Sequence, residues 1–333
     1  MKFYKIMFLN FLILGTLISI SSYSWLSMWM GLEINMISFI PLISKKKDLK
    51  SSESTMKYFI IQSISSMLIL MAALIMVFYN EFVPPMNSLI LIMNSAFLMK
   101  LGAAPFHFWF PEVMEGLSWI NCFILMTWQK ISPFMLIMNN KAWNNLIIVV
   151  IFFCLLISVI MSFNQISLRK ILTFSSINNI AWMLASLQCS YSIWLMYFIL
   201  YSFMNLPLMI MFNSMSMNYL NQMLNFTQKS FLMKLFLIVN FFSLGGLPPF
   251  IGFLPKWLVI YSLSLQNLEF LSFLLIVMTL ILLYVYIRMV FFSLTFMSTE
   301  SKVVIKFESK LFVILSFMML VLLIFMTLIF NLI

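Results

Sequence analysis

The sequence predicts an all-α polytopic membrane protein with about eleven transmembrane helices. Of its 333 residues, 64% are hydrophobic and only 8% are charged, whereas soluble domains carry about 25% charged residues. The mean hydropathy of the chain is +1.09. Its apolar residues are sufficient for about eleven helices of roughly 20 residues, the length that crosses a bilayer.

Eleven apolar stretches occur along the chain, and short polar segments separate them. Each stretch is read as one membrane span, so the number of visible stretches agrees with the number that composition allows. In chain order the stretches are 6–22, 24–43, 57–79, 86–105, 119–138, 146–163, 171–188, 192–213, 235–265, 268–292 and 311–331.

The fourth and ninth stretches contain glycine and proline, which interrupt an α-helix. Inside a membrane, such breaks are tolerated only where the backbone is buried in protein or lines a water-filled cavity. We therefore expect two discontinuous helices, around 100–111 and 245–256. The interrupting residues are Gly102, Pro105, Gly246, Pro248 and Pro249.

The two breaks share one motif. Residues 102–111 and 246–255 both read G-x-x-P-F-x-x-x-x-P, with an offset of 144 residues. Because the offset spans an odd number of stretches, five, the second copy must cross the membrane in the opposite direction. Inverted repeats with broken helices are typical of secondary transporters. We expect a single membrane domain over 1–333 that contains two inverted five-helix repeats, 1–140 and 141–295, and a C-terminal helix in 296–333.

The basic residues indicate the orientation of the chain. Fifteen of the 19 lie in loops on the side of the N-terminus, and Lys141 alone lies in a loop on the opposite side. The positive-inside rule then predicts that the N-terminus faces the cytoplasm-equivalent compartment and the C-terminus the other. This topology signal also accounts for the net charge of +10, so we expect no nucleic-acid partner.

Four charged residues remain, and they lie inside the apolar stretches: Glu33, Lys100, Lys130 and Lys256. A charge at the centre of a bilayer costs about 2.5 to 3.5 kcal/mol on insertion scales, so an intramembrane charge is a functional-site hypothesis by default. A buried lysine near a carboxylate can gain and lose a proton, which predicts a proton relay. Alternatively, Glu33 pairs with one lysine for helix packing and the other lysines extend toward the membrane surface.

Other polar residues are weaker candidates for a water or proton path. His107 lies within the first break, and Ser175 and Ser176 lie on the seventh stretch. Each is equally compatible with a hydrogen-bonding role in helix packing. The chain has no nucleotide-binding glycine motif, a single histidine and three scattered cysteines, so the sequence predicts neither a cofactor nor a metal site in this chain.

Several short motifs together resemble a known family, in order along the whole chain. It is the family of subunit 2 of mitochondrial NADH:ubiquinone oxidoreductase, respiratory complex I, in the short animal form and insect in particular. The motifs are MGLEIN at 30–35, KLGAAPFHFWFPE at 100–112, TWQK at 127–130, LRK at 168–170 with SSI at 175–177, and LGGLPPFIGFLPKW at 244–257.

The resemblance implies an antiporter-like proton-pumping subunit of the inner mitochondrial membrane, with its N-terminus in the matrix and its C-terminus in the intermembrane space. NADH, flavin mononucleotide, iron–sulfur clusters and ubiquinone would be bound by other subunits of the complex. Partners would be other membrane-arm subunits, including a neighbouring antiporter-like subunit, and membrane lipids such as cardiolipin.

The resemblance also assigns roles to the buried charges. Glu33 and Lys100 would form an ion pair, Lys130 would continue the hydrophilic axis, and Lys256 would be the terminal lysine toward the exit side. The chain departs from the family at positions 179 and 181, where the family often has histidine and glycine and this chain has asparagine and alanine. Asparagine cannot titrate, although it can hold water.

Two other functions fit the same residues. A stand-alone cation/proton antiporter would also have inverted repeats and buried lysines, but it should transport when purified alone. A purely structural membrane subunit should keep pumping intact when Lys130 or Lys256 is neutralised. The larger antiporter-like subunits of the same complex fit less well, because they are much longer than 333 residues.

Overall fold

The structure, a computed structural model, describes residues 3–44, 48–79, 87–140, 144–223, 231–294 and 317. These residues form thirteen α-helices. Some predicted features lie outside the described residues. They are Lys141 and the C-terminal segment 296–333, which includes the last predicted stretch, 311–331; of this segment only Phe317 is described. The helices are α1 (Phe3–Ser21), α2 (Trp25–Ile43), α3 (Leu49–Tyr79), α4 (Asn87–Leu101), α5 (Trp109–Gly116), α6 (Trp119–Met126), α7 (Trp128–Asn139), α8 (Asn144–Phe163), α9 (Leu168–Cys189), α10 (Tyr191–Ser214), α11 (Phe231–Gly245), α12 (Phe253–Leu265) and α13 (Glu269–Leu294).

The predicted all-α membrane fold is confirmed. Among the described residues, seven helical segments are long and apolar enough to cross a membrane, one of them formed by α6 and α7 together. The shorter apolar helices α4, α11 and α12 flank the two predicted breaks. The chain is therefore an integral multi-pass membrane protein.

The chain forms two compact units, Met1–Val150 and Ile151–Ile333. Unit 1 contains α1 to α7 and unit 2 contains α9 to α13, and the division falls within α8. In unit 2, α9 packs against α10, α12 and α13. Almost every residue of α9 from Leu168 to Ser186 is buried, which explains how a helix with so many serine and asparagine residues can lie in an apolar protein: its polar groups face other helices.

In unit 1, α1 and α2 cross with their backbones in contact. A Cβ atom on Gly15 would lie 2.8 Å from the Asn35 backbone nitrogen, and a Cβ atom on Gly31 would lie 2.6 Å from the Ser19 backbone nitrogen. Glycine is required at both positions because no side chain fits between the helices, as in other small-residue crossings of membrane helices. This crossing positions α2, which carries Glu33 and Asn35.

We expect Gly31→Val to reduce strongly the amount of assembled protein. The side chain would overpack the α1–α2 crossing, and overpacking in a close-packed interior typically costs about 1 to 3 kcal/mol. The measurement is the amount of the chain in the assembled complex on native gels. Met30→Val is the matched control, because Met30 is 50% exposed. Normal assembly of Gly31→Val would contradict the crossing.

The structure has a third interruption that the sequence analysis did not predict. The stretch 119–138, expected to be one helix, divides at Thr127 into α6 and α7. The Thr127 hydroxyl donates a hydrogen bond to the Phe123 carbonyl (2.7 Å), and the Lys130 amide donates to the Thr127 carbonyl (3.1 Å). Pro133 has no amide hydrogen to donate to the Gln129 carbonyl, so the helix that follows Thr127 lacks one backbone hydrogen bond in its first turns. As a result, Lys130 lies in the first turn of α7.

Candidate functional site

The two predicted helix breaks have the same backbone geometry. In the first, α4 ends at Leu101 and α5 begins at Trp109; in the second, α11 ends at Gly245 and α12 begins at Phe253. The residue after each first helix is a glycine with positive φ, +71° at position 102 and +76° at position 246. A side chain is strained in this conformation, so the motif needs glycine there.

Both glycines end their helices with the same pair of hydrogen bonds, the Schellman motif. This motif uses the third and fourth carbonyls from the end of the helix and leaves the last two without an intrahelical partner. The bonds are Gly102 N to Met99 O (3.2 Å) and Ala103 N to Leu98 O (3.0 Å) in the first break, and Gly246 N to Ser243 O (3.0 Å) and Leu247 N to Phe242 O (3.3 Å) in the second.

In the second break, Lys256 binds the two remaining carbonyls. Its Nζ donates to the Gly245 carbonyl at 2.7 Å and to the Leu244 carbonyl at 3.4 Å. The side chain is only 8% exposed, and the ammonium lies 5.8 Å from the centre of the Trp182 ring. The C-terminal end of a helix carries partial negative charge, so this position stabilises a buried cation.

In the first break, the carbonyls at the end of the helix have a different hydrogen-bond partner. The Gln62 amide of α3 donates to the Lys100 carbonyl at 3.5 Å, so a neutral group lies where Lys256 lies in the second break. The residue at the repeat position of Lys256 is Glu112, whose carboxylate instead pairs with Lys57 at 2.8 Å. Lys57 also pairs with Glu53 at 2.6 Å. Gln62 was not among the predicted site residues, because an uncharged residue in an apolar stretch gives no distinct signal.

Lys100 and Lys130 line one cavity in unit 1. Both are buried, with Lys130 only 2% exposed, and the Lys130 ammonium lies 5.4 Å from the centre of the Phe110 ring. The cavity has a volume of about 20 Å³, which is enough for one water molecule. Its other polar lining residues are Asn35, Tyr58, Gln62, Gln129 and Ser132.

Three uncharged polar residues connect α2 to α7 at this cavity. The Gln129 amide donates to the Asn35 side-chain oxygen at 3.0 Å, and the Asn35 amide donates to the Ser132 hydroxyl at 3.4 Å. The contacts hold the polar face of α2 against the first turn of α7, which carries Lys130. The sequence places Asn35 two residues after Glu33, but its partners on α7 come from long-range packing.

Glu33 is half-buried and does not line the cavity. Its carboxylate interacts electrostatically with Lys100, but the two side chains do not form a direct ion pair, although both lie within the described residues. The predicted Glu33–Lys100 ion pair is therefore not seen, and a role for Glu33 in the relay stays a prediction.

The weaker candidates are all buried. His107 lies in the loop of the first break, where its Nδ1 is 3.3 Å from the Pro105 carbonyl and its ring packs on Phe108 at 4.4 Å. The hydroxyls of Ser175 and Ser176 donate within α9 to the carbonyls three residues earlier, each at 2.7 Å. Their oxygens can therefore accept a further hydrogen bond but have no second proton to donate.

Asn179 is held by two hydrogen bonds. Its side-chain oxygen accepts from the Tyr197 hydroxyl at 2.8 Å, and its amide nitrogen donates to the Ser175 carbonyl at 3.0 Å. Asparagine at this position therefore connects α9 to α10. Within the described residues there is also no group of three or more histidine, cysteine, aspartate and glutamate side chains that could hold a metal ion.

Comparison with known proteins identifies relatives over most of the chain. Residues 22–282 match the family described as NADH:quinone oxidoreductase/Mrp antiporter, transmembrane. The chain is 49% identical over 286 residues to NADH-ubiquinone oxidoreductase chain 2 of Anopheles gambiae, covering 85% of this chain and 83% of the relative. It is 41% identical over 303 residues to the same chain of Locusta migratoria, covering 89% and 87%.

The fold is also found in solved structures. A chain of respiratory complex I from Thermus thermophilus superimposes with a TM-score of 0.85 at 19% identity, covering 97% of this chain and 78% of that one. A chain of the Mrp complex from Dietzia sp. superimposes with a TM-score of 0.77 at 13% identity, covering 88% and 61%. At these identities the likeness shows a shared antiporter-like fold.

Proposed function

Because the chain belongs to the family of NADH-ubiquinone oxidoreductase chain 2, an antiporter-like membrane subunit of respiratory complex I, we propose that it translocates protons across the inner mitochondrial membrane. Glu33, Lys100, Lys130 and Lys256 carry this function. Other subunits bind NADH, flavin mononucleotide, iron–sulfur clusters and ubiquinone, and their electron transfer drives the transport. Partners are other membrane-arm subunits, including a neighbouring antiporter-like subunit.

The position of Lys256 is the observation that supports this proposal most strongly. Its ammonium donates to two neutral carbonyls, and no ion pair joins it to a carboxylate among the described residues. Carbonyl dipoles stabilise the charged form, whereas apolar surroundings stabilise the neutral form. A lysine balanced between these influences can receive a proton and release it.

In unit 1, the shared cavity supports proton transfer between Lys100 and Lys130. One water molecule in a cavity of about 20 Å³ can bridge the side chains of Lys100 and Lys130, which both line it. Two ammonium groups facing one small cavity repel each other, so protonation of one favours loss of a proton from the other. Movement of the Glu33 carboxylate relative to Lys100 changes the electrostatic field at this lysine and thereby changes which lysine holds the proton.

The orientation follows from the charged loops. We place the N-terminus in the matrix and the C-terminus in the intermembrane space, because basic loops stay on the cytoplasm-equivalent side. Basic residues at that surface, such as Lys5 in the first turn of α1, are suited to contact anionic lipid headgroups such as those of cardiolipin. His107, Ser175 and Ser176 contribute further water-binding groups.

The test is proton pumping by the purified complex in proteoliposomes. We expect Lys100→Met to lower the pumping rate about tenfold or more, because loss of a proton-transfer group typically removes a factor of at least that size. Lys50→Met is the control, since it removes a lysine that is exposed. Unchanged pumping by a fully assembled Lys100→Met complex would overturn the assignment. Transport by the chain purified alone would instead support a stand-alone antiporter.

A further inference from the structure

Helix α3 contacts both halves of the first broken helix. Its Gln62 amide donates to the Lys100 carbonyl near the end of α4 at 3.5 Å. Its Lys57 ammonium lies 2.8 Å from a carboxylate oxygen of Glu112, which is in the first turn of α5. Helix α3 itself runs without interruption over Leu49–Tyr79. One continuous helix therefore bridges the break in unit 1.

A second carboxylate binds the same lysine. Glu53, one turn earlier on α3, lies 2.6 Å from the Lys57 ammonium. All three side chains, those of Lys57, Glu53 and Glu112, are at least 38% exposed. Exposed ion pairs add little to the stability of a protein. Only the pair with Glu112 joins two helices, because Glu53 and Lys57 both belong to α3.

Glu112 lies three residues after Trp109 on α5, so the two residues are neighbours on one face of this short helix. The Trp109 Nε1 atom donates to the Met99 carbonyl at 3.1 Å, and Met99 directly precedes Lys100 on α4. Trp109 also lines the cavity that Lys100 and Lys130 share. A shift of α5 therefore changes both the wall of this cavity and the contact with the backbone beside Lys100.

The residue that follows Lys57 on α3 lines the same cavity. Tyr58 is 2% exposed and is one of the polar lining residues. Its ring meets the Trp109 ring edge-on, with 6.0 Å between the centroids, and it meets the Phe39 ring of α2 at 5.3 Å. Helices α3 and α5 are thus joined at two neighbouring points, by the Lys57–Glu112 pair at the exposed surface and by the Tyr58–Trp109 contact at the cavity.

The two breaks differ at this position of the repeat. In the second break, Lys256 binds the last carbonyls of the half-helix that precedes the break, so it connects the two half-helices directly. In the first break, Glu112 stands at the same repeat position and binds Lys57 of a neighbouring helix. The connection between the half-helices of unit 1 therefore runs through α3, which binds α4 through Gln62 and α5 through Lys57.

We propose that Lys57 is a positioning residue for proton transfer in unit 1. Its pair with Glu112 holds α5 against α3 and thereby keeps Trp109 in the wall of the cavity. When the pair is absent, α5 also adopts positions in which one water molecule no longer reaches both lysines of the cavity, Lys100 and Lys130. This inference rests on the proposed function, because proton transfer across the cavity is the step that depends on this geometry.

Glu112→Gln tests this inference against a matched control. It removes the charge that joins α5 to α3 but leaves the Lys57–Glu53 pair. Glu53→Gln makes the same change at the other carboxylate of the same lysine and leaves the two helices joined. In proteoliposomes, we expect Glu112→Gln to lower the protons pumped per NADH oxidised about two- to fivefold, and Glu53→Gln to pump as the wild type does. Such a factor corresponds to about 0.4 to 1 kcal/mol, the range of exposed ion pairs.

Exchange of the two charges provides a rescue test. We expect Lys57→Glu alone to be at least as harmful as Glu112→Gln, because it brings like charges together. The double variant Lys57→Glu/Glu112→Lys again joins α3 to α5 by an ion pair, so its pumping ratio should return to within about twofold of the wild-type ratio. Native gels should show that all variants assemble. A purely structural role would lower the assembled fraction and leave the pumping ratio of the assembled complex unchanged.

Equal pumping ratios in Glu112→Gln, Glu53→Gln and the wild type would overturn the inference, since packing alone would then hold α5 in place. Lys100→Met separates this result from the proposed function. If Lys100→Met lowers pumping while Glu112→Gln does not, the cavity works without the ion pair and only the further inference fails. If Lys100→Met also pumps normally, the proposed function of this cavity fails as well. Should Lys57→Glu fail to assemble, the two glutamine variants still decide the question.

Discussion

Replacing Lys256 with glutamine is expected to abolish proton pumping while the complex still assembles. The ammonium caps two helix-end carbonyls in α11, at 2.7 and 3.4 Å, so the lysine has a structural role in addition to any proton role. An amide can take over part of the capping, as Gln62 shows at the first break. An amide cannot, however, carry a proton at physiological pH.

Lys256→Met completes this experiment. Methionine has a similar length but no donor, so we expect it to leave the Leu244 and Gly245 carbonyls uncapped. An unsatisfied buried acceptor costs about 1 to 3 kcal/mol, so the methionine variant should assemble less well than the glutamine variant. The measurements are the assembled fraction on native gels and the protons pumped per NADH oxidised. Pumping at the wild-type ratio by Lys256→Gln would contradict a proton role for this lysine.

Gly246→Ala is expected to lower pumping severely although Lys256 itself is unchanged. A Cβ atom at position 246 would lie 2.7 Å from the Lys256 Nζ and Cδ atoms, so the lysine side chain must shift, which disturbs its hydrogen bond to the Gly245 carbonyl. A residue other than glycine at a φ of +76° is additionally strained by about 1 to 2 kcal/mol. The measurement is again pumping per NADH in the assembled complex.

Gly102→Ala is the matched control for this substitution. Position 102 has nearly the same φ, +71°, so the backbone strain is similar, but the new Cβ atom would meet the Phe110 side chain at 3.2 Å and not a lysine. The difference between the two variants therefore isolates displacement of the Lys256 ammonium. Equal pumping by both variants would mean that the position of the Lys256 ammonium does not affect proton pumping.

The parts of the structure that sequence reasoning predicted are those encoded by local chemistry. Gly102 and Gly246 end their helices because each adopts a positive φ that favours glycine, and the shared motif was visible without knowledge of any contact. Burial of Lys100, Lys130 and Lys256 also followed from their positions within apolar stretches, because the segments that contain them must lie in the membrane.

The features that sequence reasoning missed depend on contacts between distant residues. The division at Thr127 was not expected, because threonine alone does not break a helix and Pro133 lies six residues further on. Gln62 and the Asn35–Gln129 contact involve uncharged residues whose partners lie 38 and 94 positions away. The Glu33–Lys100 ion pair is the opposite case, since the resemblance implied it and it is not seen: the placement of side chains between two helices is not determined by periodicity.

Proton pumping per NADH oxidised in the reconstituted complex carrying Lys130→Ala tests the central claim most directly. Lys130 is 2% exposed and lines the cavity that Lys100 also lines, so a proton released by Lys100 can pass to its amine. The account predicts that the complex assembles and that pumping and coupled NADH turnover both fall sharply. Unchanged pumping and turnover in a fully assembled complex would contradict the account and make Lys130 a structural residue.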